Sequence, residues 1–176
     1  MADDLARLLE PGYVSNLHDR SLDEIRAMRA ECQRHEAALS YFRRLVQGRL
    51  DIVGADRRRR QLGHGPSDVS DLIELLPQVL GEHVTAPGPG RPPSPLVPPD
   101  DDALTSELDD VVDVAALGSL ADLDDAELDA LVERLTALER SVSERRRSLH
   151  ERIDALQAEL ARRYGTGEAS VETLLR

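Results

Sequence analysis

Two segments of the chain have the apolar spacing of long amphipathic helices. In the first, apolar residues recur at intervals of three, four or seven positions, at Ile25, Met28, Cys32, Leu39, Phe42, Val46 and Val53. The second repeats this spacing at Leu128, Leu131, Leu135, Leu138, Val142, Leu149, Ile153 and Leu156. Helices that bury one stripe against a partner helix have this pattern.

Each segment also opens with a capping box, in which a side chain at the helix start and an acid three residues later bond each other's backbone amides. Ser21 and Glu24 form the first box, and Asp124 and Glu127 form the second. The sequence therefore predicts helix 1 over 21–53, ending before Gly54, and helix 2 over 124–164, ending before the glycines that follow.

The remaining segments predict connections rather than a second core. Residues 1–20 form an N-terminal lead-in with a short helical turn, and residues 165–176 form a C-terminal tail. The linker, 54–123, contains a short amphipathic helix at about 67–81, a Pro-rich spacer at 86–99 and an acidic arm at 100–120. We expect an all-α fold, an antiparallel two-helix coiled-coil hairpin with a long, partly disordered linker.

Composition narrows the function classes. The formal net charge of −12 argues against direct nucleic-acid binding, because phosphate neutralisation needs a basic surface. No apolar stretch approaches the roughly 20 residues that span a bilayer, and the first residues lack the pattern of a signal peptide, so we expect a cytoplasmic protein without membrane contact. The single cysteine, Cys32, is expected to be a small buried apolar residue.

Helix 1 carries a polar motif, E-x3-S-x2-R-x3-Q-x3-D, whose spacing keeps all five side chains within an arc of about 80°. Its members are Glu36, Ser40, Arg43, Gln47 and Asp51. Helix 2 carries a second copy at Glu139, Ser143, Arg146, His150 and Asp154, in which only the glutamine is replaced. The offset is the same at every position, 103 residues (139 minus 36), and it also relates the two capping boxes. The helices are therefore an internal repeat.

The two motifs suit a two-fold-symmetric anion that contains guanine. Arginine bonds phosphate or the guanine O6 and N7 edge, whereas a carboxylate accepts hydrogen bonds from guanine N–H groups. Aligning Arg43 with Arg146 in an antiparallel hairpin places Glu36 near Asp154 and brings the copies into a pseudo-two-fold site. For either copy alone, ordinary solvent-exposed salt bridges are the simpler interpretation.

The duplicated motif resembles that of the RsiG family, the cyclic di-GMP-dependent anti-sigma factors of sporulating actinobacteria. The resemblance implies that two molecules of cyclic di-GMP bind the ten motif residues, with His150 departing from the family pattern. It further implies that the loaded protein sequesters a sigma factor of the WhiG type, a flagellar-type sigma, and so represses sporulation genes. We expect a monomer that binds one sigma factor, with the N-terminal segment, 67–81 and the acidic arm as candidate contacts.

Two other functional classes are weighed against this one. An enzyme is not expected, because the sequence has no phosphate-cradling glycine-rich loop, no clustered metal ligands, and no histidine beside a plausible nucleophile. The alternative is a structural coiled-coil adaptor without a nucleotide ligand, in which both motifs form surface ion pairs.

Overall fold

A computed structural model of the chain describes residues 2–65 and 102–167, and the regular structure in these ranges is helical. Its five α-helices are α1 (Ala2–Leu9), α2 (Leu22–Gln61), α3 (Asp102–Asp109), α4 (Val114–Gly118) and α5 (Asp125–Gly165). Short 3-10 turns lie at Leu17–Asp19 and Leu120–Asp122. The predictions for 67–81, 86–99, the first residues of the acidic arm and 168–176 lie outside the described residues.

Both long helices begin at their capping boxes. The amide of Glu24 donates to Ser21 Oγ at 3.2 Å, and the amide of Ser21 donates to Glu24 Oε2 at 2.7 Å. At the start of α5 the corresponding distances are 2.8 Å, from the Glu127 amide to Asp124 Oδ1, and 2.9 Å, from the Asp124 amide to Glu127 Oε2. These bonds satisfy amides that have no partner within the helix and so fix where each helix starts.

The predicted end of helix 1 is wrong, because α2 continues through Gly54 to Gln61. A glycine in a helix interior costs about 1 kcal/mol relative to alanine, which does not by itself stop a helix. The continuation is stabilised by burial, since Ala55 and Asp56 are buried. It is also stabilised by Arg60, which donates to Asp56 Oδ2 one turn earlier, at 2.9 Å. Helix α5 ends at Gly165, one residue beyond its predicted end.

The chain divides into two compact units, each built on parts of both long helices. Unit 1 comprises residues 1–40 and 143–176, and unit 2 comprises residues 41–142. In unit 1, Arg26 of α2 donates to Tyr164 of α5, and Glu36 of α2 contacts Arg146. The residue numbers rise along α2 as they fall along α5, so the two helices run antiparallel here.

Unit 2 has the same arrangement. Arg43 of α2 bonds Glu139 of α5, and Arg57, farther along α2, pairs with Asp129, which is earlier in α5. The predicted apolar stripes supply the packing of each unit, with Ile25, Leu39, Leu149 and Leu156 buried in unit 1 and Phe42, Val46, Leu128 and Leu135 buried in unit 2. The prediction of an all-α two-helix hairpin is confirmed.

The internal repeat extends beyond the long helices. The 3-10 turns Leu17–Asp19 and Leu120–Asp122 are 103 residues apart, as are the first residues of α2 and α5. Each long helix is thus preceded by a helical lead-in, residues 2–20 in unit 1 and residues 102–123 in unit 2. We call these the first and the second lead-in.

The lead-ins bury their apolar residues within their own units. Leu8 in the first lead-in is fully buried, and Leu108, Val112 and Leu120 in the second are at most 4% exposed. These three residues of the acidic arm pack in unit 2 and so do not present an apolar surface to a partner. Val114, in the same arm, is 72% exposed.

The single cysteine, Cys32, is fully buried, as predicted, and burial raises the pKa of its thiol. Among the described helices, none combines the length and the apolarity needed to cross a bilayer.

Candidate functional site

The ten motif residues fall into two groups, one in each unit. Helix α2 carries all five members of the first motif, and α5 carries all five of the second. Unit 1 contains Glu36 and Ser40 of the first copy with Ser143, Arg146, His150 and Asp154 of the second. Unit 2 contains Arg43, Gln47 and Asp51 of the first copy with Glu139 of the second. Each group therefore combines residues from both copies.

In unit 1 the contacts converge on one carboxylate oxygen, Oε1 of Glu36. Ser40 Oγ donates to it at 2.6 Å, and Arg146 donates through Nη2 at 2.9 Å and Nε at 3.1 Å. His150 Nε2 lies 3.3 Å from the same oxygen. Burial raises the pKa of Glu36, but the hydrogen bonds from Ser40 and Arg146 outweigh it, so that the pKa lies below its ordinary value. Glu36 is therefore charged at neutral pH.

Unit 2 has the equivalent arrangement around Glu139. Arg43 Nη1 donates to Glu139 Oε1 at 3.1 Å, and Gln47 Nε2 donates to the same oxygen at 3.4 Å. The Arg43 and Glu139 side chains are 32% and 22% exposed, against 24% and 19% for Arg146 and Glu36. These side chains are shielded from bulk water but remain reachable by a ligand.

The two groups are related by the 103-residue offset. Glu36 corresponds to Glu139, Arg146 corresponds to Arg43, and His150 corresponds to Gln47. In each unit a glutamate thus accepts from the arginine and contacts the fourth motif member, and both of these side chains lie on the opposite long helix. His150 occupies the place of the glutamine, so the departure from the motif preserves the contact.

The predicted pairing of Glu36 with Asp154 is wrong. Glu36 lies opposite Arg146 and His150, one to two helical turns from Asp154, which is exposed on α5. Two carboxylates at one level repel each other, whereas the observed register pairs Glu36 with a guanidinium. Asp51 and Ser143 are half-buried in their own units.

Sequence reasoning missed four arginines that anchor the lead-ins. In unit 1, Arg152 donates to the carbonyl of Leu9 at the end of α1. In unit 2 its counterpart Arg49 donates to the carbonyl of Val112. Both carbonyls lie at equivalent positions of the repeat, since 112 and 9 also differ by 103. Arg152 thus holds the first lead-in against α5.

The second pair of anchors lies near the far ends of the long helices. Arg163 donates to the carbonyls of Leu17 at 2.6 Å and Arg20 at 2.7 Å. Arg60 likewise donates to the carbonyls of Leu120 and Leu123, both at 2.7 Å. The recurrence of arginine at 60 and 163 under the repeat offset is the sequence signal that could have revealed these anchors, since an arginine on a buried stripe needs acceptors.

The two groups bring arginines and carboxylates together on half-buried faces. Such a set can bind an anion through the guanidinium groups and N–H donors through the carboxylates. Each arginine already gives part of its guanidinium to a glutamate, so an anion that binds through those same N–H groups has to replace a carboxylate.

Comparison with known proteins gives a family match. The model of a family described as RsiG-like matches residues 11–80 and 114–176, which is most of the chain and includes both motifs. No curated protein matches the chain. Membership in this family indicates an anti-sigma factor role. With the duplicated motif, the paired helices and this match together, the chain belongs to the RsiG-like family.

Proposed function

We propose that the protein is an anti-sigma factor controlled by cyclic di-GMP. When loaded with two molecules of the nucleotide, it binds one sigma factor of the WhiG type in the cytoplasm and so represses transcription of sporulation genes. The observation that supports this most is the recurrence, in both units, of a glutamate bonded to a motif arginine of the opposite helix.

The chemistry of the ligand matches these groups. Cyclic di-GMP is two-fold symmetric, with two phosphates and two guanines, and the chain supplies two arginines at equivalent positions. Arg43 and Arg146 suit phosphate oxygens or the guanine O6 and N7 edge, while Glu36 and Glu139 suit the guanine N1–H and N2–H donors. Ser40, Ser143, Gln47 and His150 offer neutral hydrogen bonds, and Asp51 and Asp154 offer further acceptors.

Control by the nucleotide follows from linkage. If the sigma factor binds the loaded chain more tightly than the empty one, a rise in cyclic di-GMP shifts the chain towards the sequestering form, and a fall releases the sigma factor. The protein acts in this scheme as a binding protein and carries out no reaction.

Titration calorimetry with cyclic di-GMP, in the absence and presence of a flagellar-type sigma factor, tests the proposal. We expect Arg43→Ala and Arg146→Ala each to weaken nucleotide binding at least tenfold, since each removes a charge-assisted contact worth about 1.5–3 kcal/mol. The matched controls are Arg44→Ala and Arg147→Ala, which change exposed arginines adjacent to the motif positions.

One alternative has structural support, the adaptor that binds no nucleotide. Its motifs would act only as interhelical ion pairs, such as those of Glu36 with Arg146 and of Glu139 with Arg43. Absence of cyclic di-GMP binding both with and without the sigma factor would favour the adaptor. The mass of the co-purified complex, measured by light scattering, tests the expected ratio of one chain to one sigma factor.

A further inference from the structure

The arginines that the proposed ligand needs are already bonded within the protein. Arg146 gives both Nε and Nη2 to Glu36, and Arg43 gives Nη1 to Glu139. A second polar side chain from the same helix as the arginine also contacts each glutamate, His150 in unit 1 and Gln47 in unit 2. A ligand that takes the N–H groups that face the glutamate therefore also takes away a cationic partner of a half-buried carboxylate.

Removal of that partner carries a penalty. Glu36 is 19% exposed and Glu139 is 22% exposed, so water replaces a lost hydrogen bond only in part. An anion that offers oxygens alone satisfies the arginine and leaves the carboxylate less well solvated than before. A ligand that also presents N–H donors to the carboxylate replaces both partners at once.

The nucleobase decides whether this double replacement is possible. Guanine presents two adjacent donors, N1–H and N2–H, which match the two oxygens of a carboxylate. Adenine presents the N6 amino group beside N1, which is an acceptor and faces a carboxylate unfavourably. Cyclic di-AMP has the same phosphates as cyclic di-GMP but cannot complete the exchange.

We propose that Glu36 and Glu139 determine base specificity because they occupy N–H groups of the motif arginines, which disfavours ligands that lack paired N–H donors. This inference rests on the proposed function and adds how the site rejects other cyclic dinucleotides. The glutamates have two roles, because each accepts a hydrogen bond from a motif arginine of the opposite helix and, in the loaded chain, accepts hydrogen bonds from guanine. Selectivity arises largely from the exclusion of the wrong ligand, and not only from contacts with the right one.

The test compares two ligands on glutamine variants of the full chain. Titration calorimetry measures the affinities of cyclic di-GMP and cyclic di-AMP for the unaltered protein, Glu36→Gln and Glu139→Gln. Glutamine keeps the size of the side chain and removes its charge, so the arginine becomes easier to take. We expect cyclic di-AMP to bind each variant about tenfold more tightly than it binds the unaltered protein, and cyclic di-GMP to bind less tightly.

Matched controls separate this effect from a general change of charge. Glu31 pairs with Arg7 in unit 1, and Asp129 pairs with Arg57 in unit 2, both outside the motifs. Glu31→Gln and Asp129→Asn should alter the affinities for both cyclic dinucleotides by less than about twofold, since each ion pair is partly exposed and contains no motif residue. Circular dichroism confirms that every variant is folded, and Glu36→Asp, which retains the charge but shortens the reach to Arg146, provides a further variant.

The possible results are distinct. If cyclic di-GMP binds the unaltered protein but the variants bind cyclic di-AMP no more tightly, the glutamates do not close the site; the inference is then overturned while the proposed function stands. A parallel loss of both ligands in the variants also overturns it. If cyclic di-GMP does not bind the unaltered protein with or without the sigma factor, the proposed function and this inference both fail.

Discussion

Replacement of Arg60 by methionine should destabilise unit 2 strongly. Its side chain is 8% exposed and bonds Asp56, which is fully shielded from solvent, as well as the carbonyls of Leu120 and Leu123. Methionine fills similar volume and has similar helix propensity, so the change removes mainly the charge and the donors. We expect a loss of about 3–5 kcal/mol in the free energy of unfolding, because the buried carboxylate of Asp56 loses the guanidinium of Arg60.

The size of this loss makes it easy to measure. Domains of this size are typically stable by about 5–15 kcal/mol, so the variant should unfold at a much lower urea concentration in a titration followed by circular dichroism. The matched control is Arg58→Met, an exposed arginine two residues earlier on α2, for which we expect a change within about 0.5 kcal/mol. The equivalent change in unit 1, Arg163→Met, should cost less, since its partner Glu159 is 13% exposed whereas Asp56 is not exposed at all.

A double variant distinguishes the cause. In Asp56→Leu with Arg60→Met both buried charges are absent, whereas the carbonyls of Leu120 and Leu123 and the exposed carboxylate of Asp125 still lose a donor, so the combined loss should be smaller than that of Arg60→Met alone. A single variant that loses less than about 1 kcal/mol, or a double variant less stable than the single one, would refute the reasoning that the buried charge of Asp56 depends on Arg60.

Three further predictions concern single positions. Hydrogen bonds from two neighbouring arginines lower the pKa of Glu159 to about 2, so its contribution to stability should be complete above its unfolded pKa of about 4.3 and lost as pH falls towards 2. After correction for the difference in stability at pH 7, the unaltered protein should therefore begin to unfold at a higher pH than Glu159→Gln in an acid titration. Unfolding of the unaltered protein at the lower pH would contradict this prediction. Ser21→Ala and Asp124→Ala should each lower the free energy of unfolding by about 1 kcal/mol, because each removes a helix cap. In hydrogen exchange, Ser21→Ala should speed exchange in the first turn of α2, and Asp124→Ala should do so to the same degree in the first turn of α5. The buried thiol of Cys32, with its raised pKa, should react with a thiol reagent at neutral pH far more slowly in the folded chain than in urea, and equal rates would contradict its burial.

Local features of the sequence predict the helices well. The capping boxes place the starts of α2 and α5, because the interacting groups are only three residues apart. The apolar spacing predicts the buried stripe, since burial in a helix follows its period of 3.6 residues. Gly54 predicts the end of helix 1, but the helix continues to Gln61. Contacts with the second lead-in hold the residues beyond Gly54, and no local sequence pattern reveals those contacts.

The motif residues could be found, whereas their partners could not. Repetition at a constant offset identified all ten positions before any contact was known. The relative register of the helices depends on how charges meet across the interface, and the assumption that Arg43 and Arg146 share a level displaced Glu36 by one to two turns. The anchoring arginines were missed since their acceptors are backbone carbonyls in segments without regular spacing.

The distribution of the repeat between the units has a consequence for biosynthesis. Unit 2 is a continuous stretch of chain, and its anchor joins residues 60 positions apart, Arg60 and Leu120. Unit 1 joins two segments that are far apart in sequence, with Arg26 and Tyr164 separated by 138 positions. During translation, unit 2 can therefore assemble while the last part of α5 is still in the ribosome. The apolar residues of α2 in unit 1 lack their partners on α5 until the end of that helix has left the ribosome, and in that interval the nascent chain exposes apolar surface that favours aggregation.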